Sequence, residues 1–174
     1  MIKPVIEEAI NSQINKEIYS AYLYLSMAAY FHGRNLEGFA NWMEVQTQEE
    51  MMHAKKFYDY LINRGGKVKL MPIEGPKTAW DSPDQIFDET YRHEQFVTES
   101  INKLMDLAVK EGDHATQALL QWYVTEQVEE EANASGILEK LRLSGKDGSA
   151  IFLIDRELAL RTFNMAAYQQ QAAQ

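Results

Sequence analysis

Cysteine is absent from the sequence, which excludes disulfide bonds and metal sites built from thiolates. Proline is also scarce. Only four prolines occur in 174 residues, and three of them lie between positions 72 and 83. Outside that segment the chain can form long helices without interruption. No apolar run approaches the roughly 18 residues of a membrane span, and no basic stretch followed by an apolar one opens the chain. We expect a soluble, cytoplasmic protein with no signal peptide and no membrane contact.

Positive charge is in the minority. Lysine and arginine number 17 against 26 aspartates and glutamates, which gives a formal net charge of -9. An acidic surface repels nucleic acids and attracts cations, so we expect no nucleic-acid partner. The hydrophobic fraction of 45% is sufficient for a sizeable core, and 174 residues suit a single domain.

Residues that break helices divide the chain into four long helical segments and a shorter fifth. Their expected bounds are about 5–33, 35–65, 83–112, 113–145 and 149–161. Asn35 and Asp113 are the predicted N-caps of the second and fourth segments. The run Ser82-Pro83-Asp84-Gln85 predicts the start of the third segment, with a serine N-cap, a proline in the first turn and a capping-box glutamine.

The connections between these segments predict their arrangement. Short links join the first segment to the second and the third to the fourth, and such links make neighbouring helices antiparallel. Residues 67–81 lack helical periodicity, and at roughly 3.3 Å per residue they can span the length of a helix. We predict an all-α fold, a four-helix bundle with a long crossover between helices 2 and 3 and a short fifth C-terminal helix. The domain is expected to cover residues 1–161, followed by a flexible tail at 162–174.

Each long segment carries polar residues among the apolar residues of its core-facing stripe. They are Glu17 in the first segment, Glu50 and His53 in the second, Glu94 in the third, and Gln127 and Glu130 in the fourth. A buried charge is costly unless it is paired or bound to a metal. A single residue of this kind is easily a local exception, but a set on every helix requires a common explanation.

The spacing of these residues repeats along the chain. Glu17 and Glu50 are 33 residues apart, and the same interval separates their counterparts in the third and fourth segments. The second half therefore repeats the first with an offset of 77 residues, which also relates Glu49 to Glu126. Antiparallel packing brings all of these groups to one level, near the midpoint of the bundle.

Several carboxylates and one imidazole at a single level are ligands that suit iron or manganese, with zinc also possible. Glutamates on two helices, with Glu-x-x-His pairs on the other two, form the dinuclear centres of carboxylate bundles. This chain departs from that pattern at Gln127-x-x-Glu130, where a second histidine is missing. Two plainer interpretations remain open at this stage, a solvated charged helix face and, for His53, a histidine whose hydrogen bonds are satisfied within the core.

Four motifs around these positions resemble those of non-haem ferritins of the bacterial and archaeal type. They are NKEIYSAYLYLSMA around Glu17, QEEMMHAKKFYDY around Glu50, YRHEQFV around Glu94 and LLQWYVTEQVEEEA around Gln127. The resemblance covers residues 1–161. It implies iron storage and detoxification, in which Fe2+ is oxidised to Fe3+ by O2 or H2O2 at a ferroxidase centre. The ferric mineral then grows inside a hollow, homo-oligomeric 24-subunit shell.

The resemblance also implies which residues form the dinuclear centre. The matching positions are Glu17, Glu50, His53, Glu94, Gln127 and Glu130. Glu17 and His53 would complete the first iron position, and Glu50 would bridge to the second. Tyr24, seven residues after Glu17, corresponds to a tyrosine beside the centre that can supply an electron.

A third iron position near the centre is implied as well. The matching residues are Glu49, Glu126, Glu129 and Glu130. Glu131 is expected at the surface, and His93 flanks Glu94 on a different helix face, so we assign neither residue to the centre.

The missing second histidine predicts that the second iron is retained weakly, because an imidazole ligand is lost there. We expect iron to pass through as substrate rather than stay as a fixed cofactor. Met51 stands where bacterioferritins place a haem-binding methionine, but methionine more often packs at interfaces, so no haem is expected. The alternative functions are a soluble di-iron peroxidase or oxidase without a mineral core, a haem-binding bacterioferritin-like protein, and a helical interaction module without chemistry.

Overall fold

The computed structural model describes residues 2–145 and 147–164. Over these ranges the chain forms five helices and no strand, namely α1 (Pro4–His32), α2 (Glu37–Asn63), α3 (Pro83–Lys110), α4 (His114–Ser144) and α5 (Gly148–Leu158). The predicted all-α fold class is confirmed. Of the expected tail, residues 162–164 are non-helical and residues 165–174 lie outside the described part.

The helices pack in two antiparallel pairs. The helix α1 lies along α2, α3 lies along α4, and α1 also contacts α3, while α5 rests on α2 and α4. This is the predicted four-helix bundle with a short fifth helix at its C-terminal end. None of the described helices is both long enough and apolar enough to cross a membrane.

The start of α4 is fixed by Asp113, as predicted. Its Oδ1 accepts a hydrogen bond from the backbone amide of Thr116 at 3.0 Å, which is the geometry of an N-cap. The same carboxylate forms a two-point ion pair with Arg64, just beyond α2, with both N–O distances at 3.0 Å. The guanidinium holds the pKa of Asp113 below its usual range. The pair joins the end of α2 to the start of α4.

The prediction that Asn35 caps α2 is wrong. The helix begins at Glu37, its N-cap is Leu36, and that cap residue forms no side-chain hydrogen bond. Asn35 instead has φ of 55°, a left-handed conformation that asparagine adopts more readily than most residues. It therefore forms the turn between α1 and α2.

The capping box predicted at the start of α3 is only partly present. Pro83 lies in the first turn and Ser82 is the N-cap, but the Ser82 side chain forms no capping hydrogen bond. Gln85 Oε1 accepts from the backbone amide of Asp81 at 2.7 Å, one residue before the amide that a capping box uses. The glutamine thus closes the turn upstream of the helix.

The crossover between α2 and α3 lies along α1. Asn11 anchors its beginning, because its side chain donates to the carbonyl of Lys67 at 2.9 Å and accepts from the amide of Lys69 at 2.7 Å. Further along, Ser26 Oγ donates to the carbonyl of Lys77 at 2.7 Å. These bonds satisfy backbone groups that no regular element pairs, and they advance in the direction of α1. The crossover therefore travels along the bundle, as its length predicts.

Two apolar clusters fill the bundle, one on each side of a polar layer at its midpoint. The first includes Leu23, Met27, Phe31, Phe39, Met43 and Phe87. The second includes Ile6, Ile10, Ile14, Phe57, Leu61 and Tyr123. Full burial of one such side chain contributes roughly 1.5–3 kcal/mol, so these clusters supply the stability that the polar layer does not.

Helix α5 packs unusually close to the start of α2. Asp155 Oδ1 accepts hydrogen bonds from the backbone amides of Gly38 at 2.9 Å and Phe39 at 3.0 Å. It thereby caps α2 from a distant part of the chain, where Leu36 has no side chain that can do so. A Cβ atom at position 38 would lie 1.6 Å from the Asp155 carbonyl oxygen. Only glycine permits this approach.

We expect Gly38→Ala to lower the free energy of unfolding by about 2 kcal/mol or more, because α5 must move away from α2. Gly136→Ala is the matched control, since nothing lies within 4 Å of a Cβ at that helical position. The control is expected to gain up to about 1 kcal/mol from helix propensity. Denaturant unfolding and hydrogen exchange across Gly148–Leu158 measure both effects. Equal stability of the two variants would contradict the close packing.

Candidate metal centre

The polar layer contains the six side chains that the sequence pattern singles out. They are Glu17 on α1, Glu50 and His53 on α2, Glu94 on α3, and Gln127 and Glu130 on α4. Each is at most 3% exposed. The structure thus brings all four long helices to one buried level, and a solvated charged face does not describe these residues.

Glu17, Glu50 and His53 form one of two close groups of ligand atoms among the described residues. One ligand atom from each lies within 4.8 Å of the other two, and His53 Nδ1 is 3.4 Å from Glu50 Oε2. Glu17 Oε2 and both oxygens of Glu50 accept no hydrogen bond. A buried carboxylate without donors is unfavourable by several kcal/mol or shifts its pKa. A bound cation would compensate all three oxygens at once.

The ionisation of this group follows from its burial. Burial raises the pKa of Glu17 to about 7, and burial together with the charges of Glu94 and Glu17 raises the pKa of Glu50 well above its usual value. Burial, assisted by the nearby Lys56 charge, lowers the pKa of His53 to about 3. The imidazole is therefore neutral near pH 7 and keeps the lone pair that a metal requires.

Glu94 belongs to a more fully hydrogen-bonded part of the layer. The Tyr24 hydroxyl donates to Glu94 Oε1, and Gln127 Nε2 donates to Glu94 Oε2 at 3.2 Å. Burial nevertheless raises the pKa of Glu94. Because both oxygens already have protein donors, a cation at this position must compete with them.

Glu130 lies between this part of the layer and a second group of ligand atoms. Its Oε2 accepts a hydrogen bond from Gln46 Nε2 at 2.9 Å. One ligand atom each of Glu130, Glu126 and His53 lies within 4.8 Å of the others, and His53 Nε2 is 3.9 Å from Glu126 Oε1. His53 therefore borders two groups through its two nitrogens, which the sequence pattern did not predict.

The four residues predicted for a third iron position are not gathered as a single group. Glu126 and Glu130 meet at His53, whereas neither Glu49 nor Glu129 joins a group of close ligand atoms among the described residues. Glu129 is exposed. Glu49 instead pairs with Arg161, with Glu49 Oε2 at 2.5 Å from Nη2. Burial raises the pKa of Glu49 to about 7, and the arginine partly opposes that rise.

Two glutamines that sequence analysis missed hold the carboxylates in place. Gln13 Nε2 donates to Glu17 Oε1 at 2.8 Å, and Gln46 does the same for Glu130. Gln13 and Gln46 lie four residues before Glu17 and Glu50, one turn away on the same buried stripe. A polar residue one turn before each carboxylate was the available signal.

Three residues outside the first group differ in how they relate to the centre. The Tyr24 ring is fully buried, and its hydroxyl contact with Glu94 brings it to the layer as predicted. His93 Nε2 lies 2.8 Å from Ser20 Oγ, away from the close ligand groups. Glu131 is half-buried and accepts a hydrogen bond from Thr98 Oγ1 at 2.6 Å, and it joins neither close group of ligand atoms among the described residues.

Four antiparallel helices around a buried layer of carboxylates and one imidazole define the carboxylate-bundle class of proteins. The family described as Ferritin-like domain matches residues 7–144. A bacterial non-heme ferritin of Bacteroides fragilis strain 638R is 45% identical over 161 residues, covering 92% of this chain and all of that protein. One from Escherichia coli O6:H1 is 41% identical over 159 residues, 91% of this chain and 96% of that protein.

Solved structures of ferritins are also similar to this chain. An open pore ferritin from the archaeon Archaeoglobus fulgidus is 55% identical with a TM-score of 0.92, covering 93% of this chain and all of that one. An engineered closed form of the Archaeoglobus fulgidus ferritin has a TM-score of 0.93, also at 55% identity, over 94% of this chain and 100% of that one. The chain belongs to the ferritin family, and the resemblance to non-haem ferritins is confirmed.

Binding of a divalent cation should release more protons at about pH 6.5 than at about pH 8.5. Glu17, with its pKa raised to about 7, is largely protonated at the lower pH and must ionise to bind a metal. Because the pKa of Glu17 is higher in the folded chain than in the unfolded one, the folded state binds its proton more tightly. The metal-free protein therefore loses stability as pH rises from about 4.5 through 7. Zn2+ calorimetry in two buffers of different ionisation enthalpy measures the protons. Glu17→Gln should reduce the difference between the two pH values, and equal release in the parent protein would refute the assignment.

Proposed function

We propose that this protein stores and detoxifies iron in the cytoplasm. It oxidises Fe2+ to Fe3+ at a dinuclear ferroxidase centre and keeps the product as a ferric mineral inside a hollow shell of 24 copies. The observation that carries the proposal is the Glu50 carboxylate, which is buried at the meeting point of four helices with both oxygens lacking donors. The relatives named bacterial non-heme ferritin support the iron chemistry.

The first iron position would use Glu17, Glu50 and His53. Their ligand atoms are already within 4.8 Å of one another, and a neutral imidazole with two carboxylates suits Fe2+. Glu50 is the natural bridge, since each of its unpaired oxygens can bind a different iron. Two Fe2+ give one electron each, and with two protons these reduce O2 to H2O2 or H2O2 to two waters. The anionic ligands favour the Fe3+ that results.

The second iron position would use Glu94 and the Gln127-x-x-Glu130 pair, with Glu50 as bridge. Here iron must compete with the hydrogen bond that the Gln127 amide donates to Glu94 Oε2, while Tyr24 can keep its bond to Glu94 Oε1. The first position carries no comparable competition at Glu50. This asymmetry supports iron at the second position as a passing substrate, which leaves for the mineral after oxidation.

Tyr24 would supply an electron from its place against Glu94. Its ring is completely buried, and burial with the charges of Glu94 and Glu50 raises its pKa well above the usual value. A tyrosine whose proton is hydrogen-bonded to a carboxylate can give one electron to the O2 or H2O2 that is being reduced at the centre, while its proton passes to the carboxylate in the same step. The third position, Glu49, Glu126, Glu129 and Glu130, would hold iron beside the centre. The proposal includes no haem.

Aerobic iron loading tests the storage function. Protein is loaded with excess Fe2+ without air, air is admitted, and the product is sized and analysed for iron. We expect a particle of roughly 480 kDa, from 24 copies of a 20.1 kDa chain, with far more than three irons per chain. A dimer-sized product that returns its iron to solution would contradict storage and favour a di-iron redox enzyme.

Replacing Glu50 with alanine should remove fast Fe2+ oxidation but leave assembly intact. The variant loses the bridge, and loss of a metal-binding group lowers metal affinity or activity by roughly 10–100-fold or more. Assembly persists because the two apolar clusters are unchanged. Stopped-flow absorbance measures the oxidation, and size-exclusion chromatography measures the assembly. Glu44→Ala, on the exposed face of the same helix, is the control and should oxidise at the parent rate. An unchanged rate in Glu50→Ala would exclude this residue from the centre.

A further inference from the structure

Arg161 connects the segment after α5 to the edge of the candidate metal centre. Its Nη2 lies 2.5 Å from Glu49 Oε2, and the two side chains are only 20% and 13% exposed. Glu49 is one residue from Glu50 and belongs to the proposed third iron position. An ion pair this sheltered is screened less by salt than a surface pair.

The arginine is held against α2 by several contacts besides this pair. Its guanidinium stacks on the Trp42 ring at 4.6 Å from the centroid, and Nη1 donates to the Trp42 carbonyl at 3.4 Å. Asn41 Nδ2 donates to the carbonyls of Arg161 and Leu158 at 3.0 and 3.1 Å. These contacts hold both the backbone and the guanidinium of Arg161, and they keep the guanidinium beside Glu49 in the metal-free protein.

In the metal-free protein the positive charge of Arg161 favours the ionised form of three nearby glutamates. It opposes the effect of burial on the pKa of Glu49, Glu94 and Glu130. The ion pair also accounts for the separation of Glu49 from the ligand group at His53. A divalent ion cannot bind the same oxygen at about 2.1 Å while the guanidinium remains, because two cations would repel each other at close range.

A cavity on the other side of Arg161 provides space for the side chain after release. It measures about 560 Å3, and its lining includes Trp42, Asn133, Gly136, Lys140, Glu157 and Arg161 itself. Glu157, which pairs with Lys140 at 2.5 Å, offers a second carboxylate at this surface. Arg161 and Glu157 line the same cavity, so a guanidinium released from Glu49 has a second carboxylate on the wall of the space it can enter.

We propose that Arg161 is a tethered counter-ion that occupies Glu49 until a divalent cation displaces it from the third position. The inference rests on the proposed function, because it concerns the third of the iron positions assigned there. Arg161 would keep Glu49 compensated in the empty protein and weaken binding at the third position. It would leave the first dinuclear position, with Glu17, Glu50 and His53, unaffected, and would act on the second only through its charge near Glu94 and Glu130.

Zn2+ titration of the assembled protein by calorimetry tests the proposal without any redox step. We expect Arg161→Gln to bind a third Zn2+ per chain about three- to tenfold more tightly than the parent, because no ion pair has to be broken. The Zn2+ held by Glu17, Glu50 and His53 should bind as before, and any gain at the second dinuclear position should be smaller than the gain at the third. Arg161→Lys, which keeps the charge but not the stacked two-point contact, is expected to lie between them. Arg156→Gln, an exposed arginine on α5, removes the same charge at a different place and should match the parent.

A second measurement uses the unmodified sequence and so does not depend on how a variant folds. Phenylglyoxal reacts with free arginine side chains, and peptide mass spectrometry reports each position separately. Saturation with Zn2+ should increase the reaction rate of Arg161 several-fold, because the displaced guanidinium enters the open cavity. Arg156 is the internal reference, and its rate should not change.

The outcomes separate this inference from the proposed function. Two tight Zn2+ per chain, with a third that is unchanged or absent in Arg161→Gln, would overturn the role of Arg161 and leave the dinuclear centre standing. Protection of Arg161 by Zn2+ would overturn it as well. Loss of the two tight sites in the parent protein would instead refute the dinuclear centre itself.

Discussion

The structure depends on the cost of burying carboxylates at the midpoint of a helical bundle. The carboxylates of the layer are compensated to different extents. Glu17, Glu94 and Glu130 receive hydrogen bonds from neutral side chains, Glu49 receives a guanidinium, and neither oxygen of Glu50 receives a hydrogen bond. Glu50 therefore keeps its proton, as its raised pKa indicates, or requires a cation nearby. It is the carboxylate of the layer to which a bound cation would contribute most.

The residues that stabilise the bundle and the residues of the candidate site lie at different levels along its axis. The apolar clusters above and below the layer bury large side chains such as Phe31 and Phe57 completely. They hold the helices so that six polar groups from four helices lie at one buried level, although these groups themselves oppose folding. A bundle with a weaker core could not maintain this arrangement.

The sequence predicts the helices and the level of the polar layer, because apolar periodicity and a 77-residue repeat are properties of the chain alone. It also predicts Asp113 as a cap, since the bond to Thr116 is local. The sequence does not predict a side-chain contact when the partner lies far away along the chain. Asn35 is not the cap of α2 because Asp155 supplies the bonds, and Glu49 pairs with an arginine 112 residues away. No periodicity encodes such pairs, and only packing brings them together.

The cap that Asp155 places on Gly38 and Phe39 has a consequence for synthesis of the chain. Ribosomes make the second helix long before they make its cap, so a growing chain carries that helix with its first amides exposed to solvent. The bond closes only after Asp155 has emerged, 117 residues after Gly38. Capping of α2 thus waits for synthesis of α5, and products truncated before α5 lack this contact.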